Sequence, residues 1–276
     1  VVLQPLGISE SGSAERRMKW LVSGGIALLL VAVAVALLAQ VVSLGAGSPF
    51  APSASEIAGD ALASGFGRVL SQQLGAALLL WVLVGIAESL KAGEEEKAQA
   101  GKARSGGRGE RVALMAAVVV GVALAIVDGE ASHAVNVEPL WFGLAVNALH
   151  VAAMGLWAGG LLALLAVWNT KELRERRGAV IARFGRIAVS AVVMLGVTGV
   201  VLAWEQVQRP INVVATPYGR TLVAKVLVLA GVLTAAFVAT RARADNQRFR
   251  WWALEAAGVA VVLALAGLLA SLAPPV

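Results

Sequence analysis

Leu140 to Trp168 reads LWFGLAVNALHVAAMGLWAGGLLALLAVW, and this stretch decides the fold. It contains no Asp, Glu, Lys or Arg. A helix needs only ~20 apolar residues to cross the hydrocarbon core of a bilayer. Lipid offers the backbone no hydrogen-bond partner, so such a run is stable there only as a helix. Working outward, six further runs have the same character: Trp20 to Ser43, Val69 to Leu90, Val112 to Val127, Ile187 to Trp204, Thr221 to Thr240 and Trp251 to Leu272. The third span in chain order, Val112 to Val127, is short and borrows Arg111 or Asp128 by snorkelling. Leu140 to Trp168 is long and should tilt. The fold expected is therefore all-α: a polytopic transmembrane helix bundle of about seven spans, forming a single integral membrane domain over residues 1–276. Composition agrees. The chain is 59% hydrophobic and 14% charged, with a mean hydropathy of +0.80, against about 45–50% and about 25% in soluble domains. That excludes a cytosolic enzyme and a disordered chain. With no cysteine, disulfides and thiolate metal ligands are excluded too.

The charges set the orientation. Most of the 23 Lys and Arg fall in four segments. These are Arg16 to Lys19 before the first span, Lys91 to Arg111, Lys171 to Arg186, and Arg241 to Arg250. All four lie on one side of a seven-span chain, and short basic loops stay cytoplasmic. The C-terminus is then extracytoplasmic. Topology and anionic lipid account for the basic segments, so the net charge of +6 does not call for nucleic acid. Residues 91–111 are polar, charged and glycine-containing, and read as a flexible basic cytoplasmic linker. The opposite loops hold Glu56, Asp60, Asp128, Glu130, Glu138 and Glu205, an acidic face that attracts cations. The first span follows basic residues as a signal peptide would, but its apolar run is too long for one. The opening Val1 to Leu6 reads as the tail of a further helix upstream.

Polar groups at membrane depth are costly and mark candidate functional positions. His150 lies ten residues past Leu140, about 15 Å below the outer edge. Asn147, His150, Met154 and Trp157 share one helical face. Imidazole with a thioether one turn away suits copper, the sulfur favouring Cu(I). His133 sits in the outer loop with Asp128 and Glu130, a plausible cation-collecting set. Met115 and Met194 are the remaining sulfurs in the spans. Lys225 should snorkel or pair with Glu205, and Glu255 should pair with Arg248 and Arg250. The small residues Gly155, Gly159, Gly160, Gly196 and Gly199 suit close helix packing, and Thr198 can bond back to its own helix.

Taken together, several stretches resemble the copper-resistance D (CopD) family of bacterial inner-membrane proteins. Leu149-His150 through Trp157-Ala158-Gly159-Gly160-Leu161 is similar to the family's His-containing helix, with His133-Ala134 before it. Arg183-Phe184-Gly185-Arg186, then Thr198-Gly199, Thr216-Pro217-Tyr218-Gly219-Arg220 with Lys225, and Glu255 through Pro274-Pro275 follow the family's order. The likeness covers roughly Phe66 to Pro275. It implies a multi-pass inner-membrane protein of copper resistance that works beside a periplasmic CopC-like copper chaperone.

The function expected from residues and resemblance together is copper handling. His133 with Asp128 or Glu130 captures a copper ion, as Cu(I) or Cu(II), at the outer face. His150 and Met154 then hold it within the bundle on its way inward. The partners are the bilayer, the ion and the chaperone. No P-loop occurs, so no ATP-driven step is expected, and no enzymatic constellation is present. Two alternatives stand beside this: a membrane haem or redox protein with His and Met ligation, and a non-transporting scaffold for the chaperone.

Overall fold

A computed structural model describes residues 13–42, 57, 59, 64–99, 108–131, 139–207, 209–242 and 244–272. Among these residues all regular structure is helical. The helices are α1 (Ser13–Val41), α2 (Gly65–Gln99), α3 (Arg108–Ala131), α4 (Leu140–Val167), α5 (Lys171–Val207), the short α6 (Asn212–Ala215), α7 (Pro217–Arg241) and α8 (Asp245–Ser271). Six of them are long and apolar enough to cross a membrane, and α3 contributes a shorter apolar stretch, Arg111–Val127. The expected bundle of about seven spans is the observed architecture.

Helix ends depart from the apolar runs in an informative way. α5 begins at Lys171, well before Ile187, and α2 continues to Gln99, beyond Leu90. Arg, Glu and Lys are strong helix formers, so the helix persists where hydropathy stops. Residues 91–99 and 108–111 of the expected linker are accordingly helical.

The chain divides into two compact units, Val22–Ala131 and Val1–Leu21 with Ser132–Val276. In the first, α2 packs along α3. Its buried positions include Ala77, Ala87, Ala113 and Ala125 beside Val69 and Leu70, and small side chains let helices approach closely in lipid.

In the second unit α4 pairs with α5, α7 pairs with α8, and α4 also meets α8. Trp157, Leu161, Leu164, Leu173, Val180 and Val262 are almost wholly buried between them. Outward faces stay apolar: Trp141, Leu149, Leu156, Val193, Val200 and Leu227 are exposed. A surface of that kind is stable against lipid and a liability in water. Gly160 is the glycine that sets the α4–α5 approach, since a Cβ there would lie 2.7 Å from the Phe184 ring. Gly155, Gly159 and Gly196 face open space.

Two devices fix the chain reversals. Thr170 donates to the Val167 carbonyl and accepts from Leu173 N–H, ending α4 and capping α5. Thr216 caps α7 by accepting from Gly219 N–H, with Pro217 in the first turn.

Arg17, at the start of α1, donates to the Ala166 carbonyl in the last turn of α4.

Candidate functional site

The stripe Asn147, His150, Met154, Trp157 is carried by α4 as its spacing requires. Asn147 and Trp157 are buried, while His150 and Met154 are half-buried. The Met154 side chain packs on the hydrophobic core. Asn147 Nδ2 is buried with no hydrogen-bond partner among the described residues.

The central contact is made by α5. His150 Nδ1 lies 2.8 Å from Thr198 Oγ1. That hydroxyl sits 2.7 Å from the Met194 carbonyl, one turn earlier on its own helix. A carbonyl can only accept, so the hydroxyl's single proton is committed to Met194. Thr198 Oγ1 must then accept from His150 Nδ1–H. In the neutral ring this places the lone pair on Nε2, the atom free to take a ligand. An oxygen on the far ring nitrogen that fixes the tautomer and the ring plane is the arrangement found behind metal-binding histidines. Gly199 completes the seat: a Cβ there would stand 3.5 Å from His150 Cε1, in ordinary contact.

Lys225, on α7, is half-buried. No described carboxylate forms an ion pair with it. The expected Lys225–Glu205 pair is thus not made; Glu205 is exposed on α5. By residue count, His150, Thr198 and Lys225 all lie about 12–15 Å from the ends of their helices on the side opposite the basic segments. They form one polar layer.

A second layer lies about two turns deeper. Trp157 Nε1 donates to Glu255 Oε1 at 2.9 Å. Glu255 is 2% exposed. The expectation that Glu255 pairs with Arg248 and Arg250 is corrected. Arg248 turns to Asp245 and to the Ala242 carbonyl, because Glu255 lies about two turns further along α8, on its buried face. Sequence reasoning missed this pair, whose members stand 98 residues apart. The only signal available was a carboxylate in an apolar helix.

The other expected ligands are placed as follows. Asp128 and Glu130 fall at the end of α3. His133 lies outside the described residues. Met115 and Met194, taken as internal sulfurs, are exposed on their helices. Among the described residues no three His, Cys, Asp or Glu side chains converge as a ligand group. What the site offers a metal is therefore one oriented imidazole nitrogen and one thioether a turn away, a sparse and soft donor set.

Residues 178–270 match the model of the family described as Copper resistance protein D, CopD. The matched segment holds Thr198, Gly199, Lys225 and Glu255, the residues that surround the α4 stripe, and stops short of α4 itself. No curated protein and no solved structure matches the chain.

Proposed function

We propose that this chain, a multi-pass inner-membrane protein with a copper resistance protein D segment over residues 178–270, takes copper at its extracytoplasmic face and passes it inward through the α4 stripe. The observation that carries the reading is the Thr198-held ring of His150, whose Nε2 lone pair is set by the hydrogen-bond chain to Met194. Nε2 and the Met154 sulfur, one turn apart on α4, supply a nitrogen and a soft sulfur to one ion. His133, with Asp128 or Glu130, is the proposed outer capture point.

Lys225 gives the site its character. A cation beside an ammonium is held weakly, and a site on a conducting path must bind well enough to admit an ion and weakly enough to release it. Two donors and a nearby positive charge suit transit rather than storage.

The haem alternative fits less well. Axial haem ligands approach the iron from opposite sides, whereas residues four apart on one helix lie on the same face. The scaffold alternative is separated by experiment. Sealed vesicles containing only this protein should accumulate copper, and a His133→Ala, His150→Ala double variant should not. Accumulation by the double variant at the wild-type rate removes both imidazoles from the proposal. No accumulation by either protein, with a CopC-like chaperone still bound, favours the scaffold.

A further inference from the structure

At the end of the second unit opposite the His150 layer, the α4–α5 turn and the first turns of α5 and α8 enclose a cleft of about 660 Å³. It falls in the size range of small-ligand sites. Its apolar part is formed by Trp168 and Phe249, whose ring centroids lie 6.4 Å apart. Trp168 is fixed from behind by an edge-on contact with Trp252, 5.0 Å between centroids. The polar part is cationic: Arg174, Arg177 and Arg250 line the cleft, with Asp245 as its one acidic residue.

The three arginines differ in state. Arg177 is immobilised. Its guanidinium stacks 4.1 Å from the Trp168 ring centroid, donates to the Trp168 carbonyl at 2.9 Å, and forms an ion pair with Asp245. Even so, its Nε–H is buried with no acceptor among the described residues. Arg177 and Asp245 compensate each other. The side chains of Arg174 and Arg250 are exposed and make no described hydrogen bond or ion pair. Two uncompensated guanidiniums thus stand at the mouth of a cleft with an aromatic floor.

The location narrows the ligand. The cleft sits where α4 ends and α8 begins, on the side carrying the basic segments, which is the cytoplasmic side. Phe249, in the first turns of α8, is the half-buried aromatic of the cleft, and the buried Trp168 backs it. Guanidinium forks match phosphate oxygens in bidentate geometry, and basic pockets between spans on this side suit anionic headgroups.

We propose that this cleft binds the phosphodiester headgroup of an anionic phospholipid, with Arg174 and Arg250 taking the phosphate and Phe249, backed by the buried Trp168, meeting the glycerol and upper acyl portion. The site is independent of copper. It would anchor the α4–α5 and α7–α8 reversals to the cytoplasmic leaflet.

The test uses the purified full chain in neutral detergent, titrated with phosphatidylglycerol and read by native mass spectrometry. Phosphatidylcholine and inorganic phosphate are the other arms. The Arg174→Gln, Arg250→Gln double variant should raise the phosphatidylglycerol dissociation constant about tenfold or more, while phosphatidylcholine retention stays unchanged. Arg183→Gln, Arg186→Gln removes the same charge from exposed positions on α5 outside the cleft, and should leave binding near the wild-type value. Melting temperatures should be equal, since neither Arg174 nor Arg250 holds a described bond. Equal loss in both double variants means a diffuse field rather than a site, and overturns the proposal. So does no loss in either. If inorganic phosphate displaces phosphatidylglycerol and shows the same arginine dependence, the ligand is a soluble phosphate and the lipid assignment fails.

Discussion

Thr198→Val isolates the hydrogen bond on which the copper site depends. Valine keeps the branched shape of threonine, so the packing of α5 against α4 changes little. What disappears is one oxygen with two roles: it accepts from His150 Nδ1–H at 2.8 Å and donates to the Met194 carbonyl at 2.7 Å. The Met194 carbonyl still has its helical partner, so its loss is small. The Nδ1–H loses its only described acceptor in a half-buried position, which costs about 1–3 kcal/mol. The ring can escape that cost by moving its proton to Nε2, but Nε2 is then no longer a ligand. Both routes weaken metal binding, and loss of such an outer partner lowers metal affinity about 10–100-fold. Helix association in the membrane should fall far less, by about 0.6 kcal/mol. The assay is a Cu(I) competition titration against a chromophoric chelator, on purified protein in detergent. Thr198→Ser keeps the oxygen and should bind as wild type does. Wild-type affinity in Thr198→Val, or equal weakening in Thr198→Ser, refutes the reasoning.

Three further outcomes are expected. Lys225→Leu removes the ammonium that lies at the depth of His150. A like-charge repulsion of about 1 kcal/mol predicts copper binding about fivefold tighter, with slower release in a stopped-flow chelation assay. Trp157→Phe leaves the Glu255 carboxylate without its described partner and should destabilise the bundle by about 1–3 kcal/mol; adding Glu255→Leu should recover much of that loss, measured by thermal unfolding in detergent as a double-mutant cycle. Gly219→Ala drives a Cβ into the backbone carbonyls of Asn212 and Val213. Backbone cannot give way as a side chain can, so it should lower stability by at least about 2 kcal/mol, whereas Gly155→Ala, facing open space, should not.

The spans were legible because hydrocarbon imposes one requirement on every residue of a crossing helix, and LWFGLAVNALHVAAMGLWAGGLLALLAVW meets it throughout. Their ends were less so. Lys171 to Arg186 is as helical as the run that follows it, but hydropathy reports solvent and not backbone conformation. The α4 stripe could be read from spacing alone, since Asn147, His150, Met154 and Trp157 stand on one face of any helix. The residues that complete it could not. Thr198 was expected to bond its own helix, which it does, yet its second bond to His150 depends on how α5 packs against α4. Glu255 illustrates the same limit. Nearness in sequence pointed to Arg248 and Arg250, whereas the helix turns it inward to Trp157. Gly219 sat inside a recognised Tyr-Gly-Arg motif whose reason, the close approach of the α6 backbone, appears only in three dimensions.

The most direct test of the account is copper K-edge absorption on the purified full chain loaded with one equivalent of Cu(I), compared with the His150→Ala and Met154→Leu variants. The account predicts an ion with nitrogen and sulfur in its first shell, the nitrogen lost in the first variant and the sulfur in the second. A first shell without sulfur, or one unchanged by both substitutions, places copper elsewhere and contradicts the α4 stripe as its path.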